Sequence, residues 1–249
     1  MSNHTPSRSH LSKAPINEAL VDIRVQVPPG IDIQRLENFH SQLSSDYPQS
    51  KKRHKWEGRV EFKEDGTPTT QSIDIIDGYL FTSQDNLQVV QFRLDGFTFS
   101  RLKPYETWER LRDESKRLWD LYKTIEPTAI TRIAVRYINV FDVPLPVNIK
   151  DYFTMPPGIP DVQDMSFSPA SFLSRVVLKE PSDISCVITQ ALDRPQNAVA
   201  ARLILDIDVF KRADLDKNVD IWGALEGLRR IKNEVFFRSI TEGLLQKCL

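Results

Sequence analysis

Apolar and polar residues alternate from Ala19 to Val27. Ala19, Val21, Ile23, Val25 and Val27 hold one phase, and Asp22, Arg24 and Gln26 the other, which is the period of a half-buried strand. Pro28-Pro29-Gly30 ends it. The spacing then becomes helical, with Asp32 placed to cap a stripe of Ile33, Leu36, Phe39, His40 and Leu43 that stops near Pro48. Three strands are predicted next. In the first, Val60 and Phe62 alternate with Arg59, Glu61 and Lys63 before a turn at Asp65-Gly66. The second covers 72–83 and the third 88–102. The third needs a bulge or sharp bend at Asp95-Gly96, because Phe92 and Leu94 keep one phase and Phe97 and Phe99 the opposite one. After Pro104, a long helix carries Trp108, Leu111, Leu118, Trp119, Tyr122 and Ile125 at three- and four-residue spacing.

The same order recurs further along. A strand at 131–141 is followed by a short helical piece near 149–153, then strands at 172–179, 184–192 and 199–210. A final helix runs from about residue 220 to 246. Gly223, Gly227 and Gly243 are atypical inside it and are expected to permit close packing on the sheet. The loop at 155–169 has no counterpart in the first half, which makes it a candidate contact loop.

The prediction is an α+β fold: two βαβββα halves, 15–126 and 127–249, joined in one domain behind a flexible tail at 1–14. Their strands form a curved, mainly antiparallel sheet of about eight strands with two long helices on one face. A sheet curved around helices encloses a cavity or presents a groove.

Composition narrows the function classes. The net charge of -1 gives no global attraction to nucleic acid or anionic membranes. No apolar run reaches the roughly 20 residues of a membrane span, and the polar start predicts a cytosolic rather than exported chain. Cys186 lies in an apolar strand and Cys248 at an end expected to fray, so no disulfide framework is predicted. All four histidines fall at or before residue 54, which disfavours a histidine metal site. Neither a glycine-rich phosphate loop nor a nucleophile turn is present.

Several polar groups invite chemistry. Arg132 and Arg136 share a strand face about 13 Å apart and suit an acidic or phosphate-bearing ligand, with Arg24 on the matching first strand. Their structural alternative is cross-strand pairing with Asp206 and Asp208, which also share a face. Those two aspartates would need a third carboxylate or a base to hold a metal or divide acid–base roles. Glu61 and Lys63 echo half of a metal-dependent nuclease site but lack its upstream Asp. Lys51, Lys52, Arg53, Lys55 and Trp56 form a dense basic run, read as a loop that contacts nucleic acid or an acidic partner.

Five fragments carry a resemblance. They are Pro15-Ile16-Asn17-Glu18-Ala19, Gly96-Phe97-Thr98-Phe99-Ser100 ahead of Trp108, and Arg132-Ile133-Ala134-Val135-Arg136-Tyr137-Ile138-Asn139. The others are Leu205-Asp206-Ile207-Asp208 and Phe237-Arg238-Ser239-Ile240-Thr241-Glu242. In this order they resemble a sporadically distributed prokaryotic family of similar length without assigned function. The resemblance implies a multi-component system such as antiphage defence or toxin–antitoxin, and it carries over no cofactor or catalytic residue. Leu225-Glu226-Gly227-Leu228 stands where that family would place a histidine, which counts against catalysis here. The expected function is a non-enzymatic binding or protein-interaction module, whose partner is a protein encoded nearby or a second copy of the chain. The alternatives are a small-molecule or nucleotide sensor with a cavity between sheet and helices, and a metal-dependent nuclease.

Overall fold

The computed structural model describes the backbone of residues 11–62, 68–158, 170–194, 199–215 and 220–249, and their side chains except at 56–62, 68–73 and 213–215. The strands are β1 (Ile16–Gln26), β2 (Gln49–Phe62), β3 (Pro68–Thr82), β4 (Gln88–Arg93), β5 (Gly96–Leu102), β6 (Ala129–Pro144), β7 (Phe172–Lys179), β8 (Ile184–Asp193) and β9 (Ala200–Leu215). They form a single nine-stranded antiparallel sheet in the order β2-β3-β4-β5-β1-β6-β9-β8-β7. The fold is therefore α+β, with nine strands rather than eight.

The difference arises at Asp95-Gly96. The phase change there is a tight turn, not a bulge: β4 and β5 are separate strands, with Phe92 opposite Phe97. Reversing the chain puts Phe92, Phe97 and Phe99 on the same buried face. Gly96 makes the turn possible. Its φ is +153°, and a Cβ there would sit 2.4 Å from the Ile23 carbonyl oxygen on β1.

Odd-numbered residues of β1 (Ala19, Val21, Ile23 and Val25) are buried on the side where α3 (Trp108–Tyr122) packs over β1 and β5 and α4 (Ile221–Ser239) over β6 and β9. From α3, Trp119 and Tyr122 meet Phe97, with ring centroids 5.9 and 6.1 Å apart. From α4, Lys232 lies over the Tyr137 ring of β6, and Trp108 Nε1 of α3 donates to Glu226 of α4. Both helices thus press on the same side of the sheet. Thr107 caps α3 by accepting from the Arg110 amide, and Asp220 caps α4 by accepting from the Gly223 amide.

Several expectations need correction. The helix after Asp32 is two short pieces, α1 (Gln34–Asn38) and α2 (His40–Leu43). The final helix breaks at Ile240, whose extended backbone bridges to Phe153 before Thr241 caps α5 (Glu242–Gln246). Gly227 and Gly243 face open space rather than the sheet, and a Cβ on Gly223 would strike the capping Asp220 carboxylate. Cys248 does not fray. It is buried, and its carbonyl accepts from the Lys13 amide. Cys186 and Cys248 are both free thiols.

Candidate functional site

Strand alternation sends the even residues of β1 to the side that no helix among the described residues covers, the bare face. Cross-strand register then builds a row of like residues. Arg53 of β2 lies opposite Gly78 of β3, Gly78 opposite Arg93 of β4, and Arg93 opposite Gly96 of β5. Gly96 faces Arg24 of β1, Arg24 faces Arg132 of β6, and Arg132 faces Arg212 of β9. Five arginines and two glycines therefore cross seven strands in one line, roughly 29 Å at ~4.8 Å per strand. The glycines leave room for the long side chains between them. A Cβ on Gly78 would lie 3.0 Å from Arg93 Cγ, and one on Gly96 3.1 Å from Arg24 Cδ.

Asp22 is the hub of this row. Its Oδ1 accepts from Thr98 Oγ1 at 2.7 Å and from Arg93 at 3.0 Å. Its Oδ2 accepts from Arg132 at 2.6 Å and Arg24 at 3.2 Å. Burial alone would push this carboxyl upward in pKa, but Arg93, Arg24 and Arg132, with the Thr98 hydroxyl, outweigh it and hold Asp22 below its ordinary value. Arg93 is 2% exposed, which makes Asp22 its essential counter-charge. Arg93 also bonds Asp95, which bonds Arg24 in turn. Further along, Arg132 donates from Nη2 to both Asp208 oxygens, and Arg136 forks onto Asp206 through Nε and Nη2. Burial raises Asp208 against the pull of Arg132 and Arg136.

Arg24, Arg132, Arg136, Asp206 and Asp208 lie on one face; Arg132 pairs across strands with Asp208 and Arg136 with Asp206, while Arg24 pairs with Asp22 and Asp95 instead. The pairing of Arg132 and Arg136 with Asp208 and Asp206 is the structural alternative given for them, and Asp22, Arg93 and Asp95, not singled out from the sequence, do more of the cross-linking. Their signal was legible in the polar phase of β1 and in a lone arginine ending the apolar run of β4. No group of three or more metal-ligating side chains occurs among the described residues.

The basic run is placed differently from expectation. Lys51, Lys52, Arg53 and Lys55 lie on the edge strand β2, not in a loop. Alternation divides them between the two sheet faces, with Arg53 paired to Asp77 in the bare groove and Lys52 beside Tyr79 on the helix side. A strand cannot present such a run as one patch, and lysines on an edge discourage further strand pairing. The side chains of Trp56 and Glu61, all of Lys63, and 159–169 of the contact loop lie outside the described residues.

The bare face forms a groove of about 1010 Å³ lined by eight basic and five acidic side chains. At its β7–β9 end stand Arg175, Lys179 and Arg212, none of them in an ion pair among the described residues. The Arg212 guanidinium lies 5.2 Å from the Phe210 ring centroid. Beside them on β7, Leu173 and Val177 are 76% and 50% exposed. No helix among the described residues is long and apolar enough to cross a membrane. No protein-family model matches the chain, and a search of curated proteins finds no match.

Proposed function

We propose that this protein is a non-catalytic docking module whose bare sheet face receives a protein partner at its β7–β9 end. The observation that carries this reading is the division of charge along the groove. Across β2 to β6 the arginines are satisfied by Asp22, Asp77, Asp95, Asp206 and Asp208. A phosphate backbone would have to displace those carboxylates, which works against nucleic acid. At the far end, cations without a carboxylate partner among the described residues stand beside exposed Leu173 and Val177 on a strand whose outer edge pairs with no other described strand. Arginine next to apolar surface is typical of protein interfaces, and a free edge accepts an added strand. The fitting partner is an extended segment that carries acidic and apolar residues in alternation.

The family resemblance points the same way, toward a multi-component prokaryotic system. The two halves, each with one central strand, are read as a pseudo-repeat that widens the sheet enough to hold such a groove. The test is co-expression of the tagged chain with its genomic neighbours, for the wild type and for Arg175→Glu with Lys179→Glu. A stoichiometric protein that cross-links to Lys179 and is lost from the folded variant supports the reading. A partner retained by the variant, or nucleic acid recovered in its place, overturns it.

A further inference from the structure

The helix-covered side holds a second, unrelated feature. Between α3, α4, β6 and the segment leading into β1 lies a cavity of about 250 Å³. At ~30 Å³ per water it has room for about eight waters, or one small organic molecule. Its walls include the rings of Tyr105, Trp108, Tyr137 and Phe236. Tyr105 and Tyr137 share a hydroxyl–hydroxyl hydrogen bond of 3.1 Å, and their rings meet edge to face.

Into this aromatic space projects Lys232 of α4, 7% exposed. Its Nζ lies 3.6 Å from the Tyr137 ring centroid and has no ion-pair or hydrogen-bond partner among the described residues. Most of the neighbouring charges are committed elsewhere, and none lies within ion-pair distance of Lys232 among the described residues. Arg229, on the same helix, bonds Glu226 and lies over the Trp108 ring. Glu106, just ahead of the α3 cap, bonds Arg101 and Arg110, while Glu109 sits exposed at the rim. Burial, with Arg229 adding to it, lowers the Lys232 ammonium to about 7. A lone buried amine without a counter-ion is costly unless something supplies the missing charge.

We infer that this cavity is a binding site for a small aromatic monocarboxylate, its ring held by Trp108, Tyr137 and Phe236 and its carboxylate paired with Lys232 Nζ. The carboxylate supplies the counter-charge that no described residue brings to Lys232, and the ring suits the aromatic part of the walls. The site is separate from the groove, since Tyr137 and Arg136 point to opposite sides of β6.

The experiment uses three probes of similar size and different charge: benzoate, benzamide and benzylamine. Binding to the full chain is followed by thermal shift and by calorimetry at pH 8 in buffers of different ionisation heat. The expected result is that benzoate alone binds and raises the melting temperature. Its binding takes up a proton, because the amine, largely neutral at that pH, is recharged by its new partner. Lys232→Met keeps the apolar volume, folds, and lowers benzoate affinity at least tenfold. Should that variant not fold, Lys232→Arg, which cannot discharge, is expected to bind benzoate without proton uptake. Equal binding of benzoate and benzamide, benzoate binding untouched by Lys232→Met, or no binding by any probe would each overturn the assignment.

Discussion

The two faces of the sheet handle buried charge in opposite ways. On the bare face, charges occur in cross-strand sets, so that Arg93, almost fully buried, is met by Asp22, Thr98 and Asp95. On the covered face, Lys232 is buried among aromatic rings with a π-face for company. Adjacent residues of one strand serve the two regimes: Arg136 joins the ion-pair network while Tyr137 forms the wall of the aromatic cavity. A compensated buried charge acts as a cross-link. An uncompensated one stores free energy that a ligand can release.

The largest expected effect tests the compensated side. Asp22→Asn leaves Arg93, Arg24 and Arg132 without their shared anion and is expected to cost about 3–5 kcal/mol in denaturant unfolding. Asp22 titrates below its ordinary 3.8, so the stability it contributes is complete above that value and is lost as the pH falls further. The variant's acid limb should accordingly be flatter. A loss under 1 kcal/mol would show that the network is dispensable.

Lys232→Met probes the other side and is expected to act in the opposite direction, stabilising the chain by about 2–4 kcal/mol at pH 6. With its folded pKa near 7 and its ordinary value 10.5, the wild type binds fewer protons folded than unfolded between those limits. Its stability should therefore rise with pH across that window and converge on the variant above it. Parallel pH curves for the two proteins would remove the contrast.

Smaller effects sharpen the picture within the bare face. Arg136→Ala frees Asp206, but the arginine side chain is 42% exposed, and solvent screening limits the expected loss to about 1 kcal/mol. Arg175→Glu with Lys179→Glu at the exposed end should change stability by less than about 0.5 kcal/mol while abolishing partner binding. A large destabilisation there would mean those cations are structural.

Much of this was legible in the chain. The alternation in β1 and β6 placed Arg24, Arg132 and Arg136 on one face and Tyr137 on the other, because a period of two leaves no choice once a strand is assigned. The strand β2 was recognised only near Val60, since Lys51, Lys52 and Lys55 on an exposed edge erase the apolar signal that marks a strand. Arg93 was missed because its burial depends on Gly78 and Gly96, which reach it only through register between separate strands. Lys232 was missed because it sits among Leu228, Ile231, Val235 and Phe236, where a helix carries a lysine outward as easily as inward.

The arginine–glycine row also constrains how the chain can vary in length. Each of its seven members is set by the register of its own strand, and a single inserted or deleted residue would swing that member to the aromatic side. It would at the same time push a neighbouring apolar group into the groove. Substitutions along the row disturb one position, whereas length changes disturb a whole strand and both faces at once. Relatives of this chain should therefore differ in length at the connections, such as the hairpin at 84–87 or the turn at 181–183, and keep the spacing within β4, β5, β1 and β6 intact.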